Sequence, residues 1–217
     1  MRMSLATPVV FVVDDDVSVR EALELLISCS GWQPQTFVSA EQFLGSPRPL
    51  APSCLLLDVG LPALNGLDLQ KQIGRDRIEM PIIFITGHGD VPTTVQAMKA
   101  GAVEFLTKPF NEDVLVAAVR DALEQSQTAI GRAAELQVLR QRHASLSPRE
   151  QEVMALIVSG LLNKLVGSEL GISEITVKAH RGKVMRKMGA SSFAELVNMA
   201  AALNLGAKPG PADRSAC

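Results

Sequence analysis

The chain has 217 residues, 47% hydrophobic and 20% charged, a composition that excludes disorder along its whole length and is ordinary for a globular protein. Apolar runs such as Val9 to Val13 and Pro81 to Thr86 are far shorter than the roughly 20 residues a membrane-crossing helix needs, and the start MRMSLATPVV lacks the pattern of a secretory leader, so a cytoplasmic protein without a membrane partner is expected. The net charge of −2 divides unevenly: nine Lys and Arg stand against sixteen Asp and Glu from Met1 to Gln125, net −7, and twelve against seven from Ser126 to Cys217, net +5, which points to two domains with different partners.

In chain order, Val9 to Val13 reads as a strand, Ser18 to Cys29 as an amphipathic helix, Gln33 to Phe37 as a strand and Ser39 to Leu44 as a helix. Strand Cys54 to Leu57 then precedes helix Gly66 to Ile73, strand Ile82 to Ile85 precedes helix Val91 to Ala100, and strand Val103 to Leu106 precedes helix Glu112 to Leu123. Five βα units imply a doubly wound, five-stranded parallel sheet with helices on both faces, in which ligands bind beyond the carboxyl ends of the strands. The polar stretch EQSQTAIGRAAELQVLRQRHASL reads as a helical linker; its heptad through Ile130, Leu136 and Leu139 is irregular and interrupted by Gly131, which leaves a coiled-coil pairing open. From Leu146 to Leu205 no strand signal remains, and four short helices separated by Gly160, Gly171 and Gly189 form an all-α module. The expected organisation is an α/β domain over 7–126, a linker over 127–145, an all-α domain over 146–205 and a disordered tail over 206–217. Three cysteines without CxxC spacing argue against disulfides and zinc, so Cys29 and Cys54 are expected in the core and Cys217 in the tail.

The positions after strands one, three, four and five are Asp14, Asp15 and Asp16, then Asp58, then Thr86, then Lys108, all at one rim of the sheet. Gathered carboxylates repel one another unless a divalent cation neutralises them, and oxygen-only ligands favour magnesium or manganese. A lysine and a hydroxyl opposite them suit an incoming phosphoryl group, so the set predicts phosphoryl chemistry on a carboxylate nucleophile. Asp16 or Ser18 is better read as the cap of the first helix, and His88 as a loop residue without a second ligand at metal spacing. Gly87 to Gly89 do not make a dinucleotide fingerprint, because Pro92 replaces the third glycine.

The segment NKLVGSELGISEITVKAHRGKVMRKMG places a helix with Leu165, Val166 and Leu170 before a turn at Gly171 and a second helix that starts at Ser173 as cap, with Thr176 one turn further on. On that second helix Ile175, Val184 and Met188 are expected to face inward. Lys178, Arg181, Lys183, Arg186 and Lys187 crowd the remaining surface, offset only by Glu174, as a helix that meets nucleic-acid phosphates requires.

The strings VVDDD, LLLDVGLPALNG, FITGHGD and MKAGAVEFLTKPF resemble receiver domains of bacterial response regulators, with a flavodoxin- and CheY-like fold, over residues 8 to 125. LSPREQEVMALIVSGLLNKLVGSELGISEITVKAHRGKVMRKMGASSFAELV resembles the LuxR-type helix-turn-helix domain of NarL- and FixJ-like regulators, over residues 146 to 205. The first resemblance implies that Asp58 accepts a phosphoryl group from a sensor histidine kinase. It further implies that Asp15, Asp58 and the Gly60 carbonyl bind magnesium directly, that Asp14 acts through water, that Lys108 pairs with the phosphoryl group, and that the Lys108-Pro109 peptide is cis. Thr86 and Phe105 would be the switch. Such a domain is no enzyme in the ordinary sense, catalysing only its own phosphotransfer and dephosphorylation. The second resemblance implies promoter DNA as partner, with Lys178 and Ala179 in the major groove and Thr176 and Lys164 near phosphates. Arg181, Lys183 and Arg186 would complete the contact, and the helix Phe193 to Leu203 would pair two copies, giving a homodimer when phosphorylated. The chain departs from the family at Leu165, where a polar residue is usual, at Gly167, where alanine is usual, and at Gly182, where relatives often carry a base-reading side chain. Asp14 and Asp16 also resemble the DxD motif of haloacid-dehalogenase-like phosphatases, a rival that would make Asp14 the nucleophile and leave Asp58 without a role. A third reading, a protein-interaction adaptor, would have the basic helix bind an acidic partner in place of DNA.

Overall fold

The computed structural model describes residues 7–47, 51–62, 66–76, 80–87 and 91–205, so that His88, Gly89 and the segment 206–217 with Cys217 lie outside the described residues. The elements are β1 (Val9–Val13), α1 (Val17–Cys29), β2 (Gln33–Phe37), α2 (Ala40–Leu44), β3 (Ser53–Asp58), α3 (Gly66–Asp76), β4 (Ile82–Thr86), α4 (Val91–Lys99), β5 (Glu104–Thr107) and α5 (Glu112–Ala144). Then come α6 (Pro148–Val158), α7 (Asn163–Leu170), α8 (Glu174–Met188) and α9 (Phe193–Ala202). Two compact units result, Met1–Gly131 and Arg132–Cys217.

In the first unit the strands run parallel in the order β2-β1-β3-β4-β5. Because side chains alternate across a strand, each apolar run supplies both faces of the sheet. Val9, Phe11 and Val13 of β1 join Leu55, Leu57 and Phe84 on the face covered by Phe43, Leu69, Ile73 and Ala97 of α2, α3 and α4. Val10, Val12, Cys54, Leu56, Ile83 and Ile85 fill the opposite face against Leu23 and Ile27 of α1 and Leu115, Val119 and Leu123 of α5. Cys54 is thus buried, and burial pushes its thiol pKa far up. Cys29, expected in the core, is exposed at the last position of α1, on the side away from Leu23 and Ile27. Asp16 caps α1 by accepting from the Ser18 amide at 2.8 Å.

Helix α5 continues past Leu123 to Ala144, because 124–144 holds no proline and Gly131 alone does not end a helix surrounded by good helix formers. Ser126, buried on that extension, accepts a hydrogen bond from the Ser53 amide at 3.0 Å at the start of β3.

In the second unit α6 to α9 enclose a core of Leu146, Val153, Met154, Ile157, Val166, Val177, Val184, Met188, Leu196 and Ala200. Ser147 and Glu150 form a reciprocal capping box at α6, with Pro148 at the first helical position. Gly171 and Gly189 end α7 and α8 in the left-handed region, at φ 66° and 71°, where a side chain would be strained. Among the described residues no helix is long and apolar enough to cross a membrane.

Candidate functional sites

Asp14 lies one residue beyond β1, and Asp58 and Thr86 are the last residues of β3 and β4. β1 and β3 are neighbours on either side of the point where the strand order reverses, which is where such sheets open a crevice. Lys108, just past β5, is anchored by its amide donating to the Thr86 carbonyl at 2.7 Å, and its side chain reaches across the end of β4. There its Nζ donates to Asp14 Oδ2 at 2.6 Å and to Asp58 Oδ1 at 2.9 Å. Asp14 is 2% and Asp58 8% exposed, so two buried carboxylates share one ammonium and the rim keeps a net negative charge. Their other oxygens are also engaged: Asp14 Oδ1 accepts from the Asp16 amide at 2.9 Å, and Asp58 Oδ2 from the Gly60 amide at 2.6 Å. Partial burial alone would lower the pKa of Lys108, but its hydrogen bonds to Asp14 and Asp58, with their charges, outweigh that and raise it above the usual lysine value.

Asp15 stands exposed in the bend after Asp14, and among the described residues no three acidic, histidine or cysteine side chains are grouped closely enough to hold a metal ion. Asp14 and Asp58 are bridged by lysine, and Asp15 stands beside them in solvent. By chemistry the donor set still fits a hard divalent cation, since Asp14, Asp58, the neighbouring Asp15 and the backbone carbonyl of Gly60 offer only oxygen. Thr86 is buried, and the half-buried ring of Phe105 lies 6.1 Å from that of Phe84, whose own position is in the sheet core. The Lys108-Pro109 peptide is cis. Gly66 opens α3 directly behind the site; a Cβ there would lie 2.7 Å from the Asp58 carbonyl oxygen and 3.1 Å from the Phe84 ring.

In the second unit α7, the Gly171 turn and α8 form the helix pair. Ser173 caps α8 by accepting from the Thr176 amide at 3.1 Å, and the two hydroxyls lie 2.8 Å apart. At Gly167 a Cβ would lie 2.7 Å from the Ile172 carbonyl oxygen, a local reason for glycine where the family usually has alanine. The inward face of α8 is Val177, Val184 and Met188, all buried. Ile175, expected on that face, is 80% exposed. At about 100° per residue its separation from Val184 is half a turn out of phase, so apolar character misassigned it where periodicity would have chosen Val177.

The cations of α8 also sort differently from their sequence count. Lys178 pairs with Glu174 at 3.0 Å on the surface, a contact worth about 0.3–0.5 kcal/mol that opens readily. The Arg181 guanidinium lies over the Phe193 ring, 4.6 Å from its centroid, and 3.5 Å from Asn163 Oδ1. Lys187, counted with the open cationic surface, instead donates to buried Glu150 at 2.6 Å and to the Ser145 carbonyl at 3.1 Å. Lys164, Lys183 and Arg186 are exposed and make no ion pair among the described residues, and Ala179 and Gly182 are exposed between them. Sequence reasoning missed both Glu150 and Phe193 as partners. The capping-box spacing from Ser147 was a signal for Glu150, whereas nothing local marks Phe193 as a stacking surface for Arg181.

Residues 10–120 match the family model of the response regulator receiver domain, and residues 144–200 that of bacterial regulatory proteins of the luxR family. The chain belongs to the response regulator family. Nodulation protein W of Bradyrhizobium diazoefficiens is 49% identical over 199 residues, covering 92% of this chain and 88% of that protein. The transcriptional regulatory protein FixJ of the same species is 42% identical over 191 residues, covering 88% and 93%. The solved structure of the response regulator StyR aligns with a TM-score of 0.78 at 45% identity over 90% of this chain and 99% of that one. This response regulator of the NarL/FixJ type therefore joins a CheY-like receiver to a LuxR-type DNA-binding domain, the make-up of a transcriptional regulator rather than of a classical enzyme. The phosphatase reading finds no support in these likenesses, which match the Asp14 region to the receiver family.

Proposed function

We propose that Asp58 is the residue phosphorylated, by transfer from a phosphohistidine of a sensor kinase, and that this acyl phosphate controls binding of α8 to promoter DNA in the cytoplasm. The observation that carries the reading is the Lys108 ammonium held between Asp14 and Asp58 at 2.6 and 2.9 Å. In the transfer the N–P bond of the donor breaks as a bond forms from phosphorus to an Asp58 carboxylate oxygen, and Lys108 is placed to offset the charge gathered there. Asp14, Asp15, Asp58 and the Gly60 carbonyl are the groups that would hold magnesium or manganese, and such an ion, when bound, screens the repulsion between carboxylates and phosphoryl oxygens. Thr86 hydrogen-bonding the phosphoryl group and Phe105 turning inward would relay the event, and hydrolysis of the acyl phosphate by the receiver itself would end it. On α8, Lys178, Ala179, Gly182 and Arg181 would face bases or lie beside them, while Thr176, Lys164, Lys183 and Arg186 would meet phosphates. Two phosphorylated copies would bind together. Incubation with a small-molecule phosphodonor and magnesium, followed by peptide mass spectrometry, tests the first step: the label falls on Asp58 and is absent from Asp58→Asn. A label on Asp14 would overturn the assignment.

A further inference from the structure

On the exposed side of α8, Ile175, Ala179, Gly182 and Arg186 recur at intervals of four, three and four residues and so form a single stripe. Before Arg186 the stripe itself carries no polar side chain. Beside it, Lys178 makes a surface pair with Glu174, Arg181 is laid over Phe193, and the Thr176 hydroxyl lies against that of Ser173. Ile175, in the first turn of α8, is 80% exposed and belongs to no core cluster. The small Ala179 and Gly182 behind it leave its branched side chain as the most prominent apolar group on the face.

We infer that Ile175 is a specificity-determining residue that selects thymine by apolar contact with its 5-methyl group in the major groove. This rests on the reading of α8 as the DNA-binding helix. The residues at the N-terminal end of a recognition helix are those brought to base edges, and thymine is the base that offers a methyl group there. Ile175 has no polar atom beyond the backbone with which to read any other base feature, and its burial on binding would remove apolar surface from water on both sides.

The test begins with selection of duplexes from a random library by the full chain treated with phosphodonor, followed by anisotropy titrations on the consensus. Replacing each thymine by uracil in turn removes the methyl group alone. Expected is one position per half-site where uracil weakens the wild-type protein about fourfold, the effect of one buried methyl group. Ile175→Ala should weaken binding to the thymine duplex by a similar factor and show no difference between thymine and uracil at that position, while Ile175→Val keeps most of the difference. Unchanged circular dichroism of Ile175→Ala, expected for so exposed a residue, assigns the loss to contact. A thymine–uracil difference that survives in Ile175→Ala, or no such position at all, overturns the inference while leaving the DNA-binding reading intact. Failure of the wild-type protein to select any duplex overturns both.

Discussion

The Glu150 carboxylate accepts a hydrogen bond from Lys187 Nζ at 2.6 Å, tying the first turn of α6 to the last turn of α8. The same carboxylate accepts from the Ser147 amide at 2.9 Å, so one acid closes the capping box and pins the end of α8. With Lys187 as the main cause and the Ser147 amide next, its pKa is lowered from 4.5 to about 2.

A pKa lowered in the folded state means stability that is present above the unfolded value and is lost as pH falls through the folded one. Glu150→Gln should therefore lower Tm at pH 6 to 7, and the gap from wild type should shrink as pH falls from about 4.5 toward 2. Thermal melts of both proteins across that range give the comparison. A gap that is constant with pH would mean that the ion pair contributes nothing beyond the cap.

The sheet and the rim were legible in the sequence for one reason: both follow from strict local rules. Apolar runs mark β1, β3 and β4, the alternation with helices places β2 and β5 between and beside them, and residues just past the strands must collect at one edge, as Asp14, Asp58 and Lys108 do. The readings that needed correction depend on contacts between distant elements or on helical phase. Lys187 is neutralised by a residue from another helix, and Ile175 is apolar but lies half a turn from the buried stripe. The stretch after Leu123 read correctly as helical, but its continuity with α5 did not, because the change to polar composition and Gly131 suggested a break.

On the proposed reading, a divalent cation would compete with Lys108 for the same two carboxylates. Replacing Lys108 by methionine removes the ammonium, leaves Asp14 and Asp58 facing each other, and should strengthen magnesium binding on the order of tenfold, about 1.4 kcal/mol. Labelling by a phosphodonor should nevertheless fall sharply, because the charge that offsets the phosphoryl oxygens is lost. Calorimetry for the metal and mass spectrometry for the label measure the two effects separately. Weaker magnesium binding in the variant would mean that Lys108 orders the carboxylates rather than competing for them.

Gly66→Ala would place a methyl group 2.7 Å from the Asp58 carbonyl oxygen and 3.1 Å from the Phe84 ring, so the backbone beside Asp58 must move. Overpacking of this kind costs about 1–3 kcal/mol, and here it should also slow labelling of Asp58. Denaturant unfolding reports the first effect and the labelling rate the second. Wild-type values for both would show that the turn after β3 yields without disturbing the rim.

Cations on α8 should fall into two classes on DNA. Lys178, in the second turn and held only by an exposed pair with Glu174, is free to exchange that partner for a base edge, so Lys178→Ala should cost on the order of 1–3 kcal/mol on a selected site and narrow its lead over random duplex. Arg186, near the far end of the helix, should meet phosphate; Arg186→Ala should weaken selected and random duplexes alike and flatten the dependence on salt by about one counterion. Lys187, although also cationic, is committed to Glu150, so Lys187→Ala should lower Tm more than it alters the salt slope. If phosphorylation of Asp58 brings two copies together, the phosphodonor should raise affinity for a site with two half-sites far more than for one half-site, since the second domain then binds at high effective concentration. Gel-shift titrations on full and half sites, with and without phosphodonor, measure this directly. Equal affinity in all four arms would leave α8 as the DNA-binding helix but remove control by Asp58.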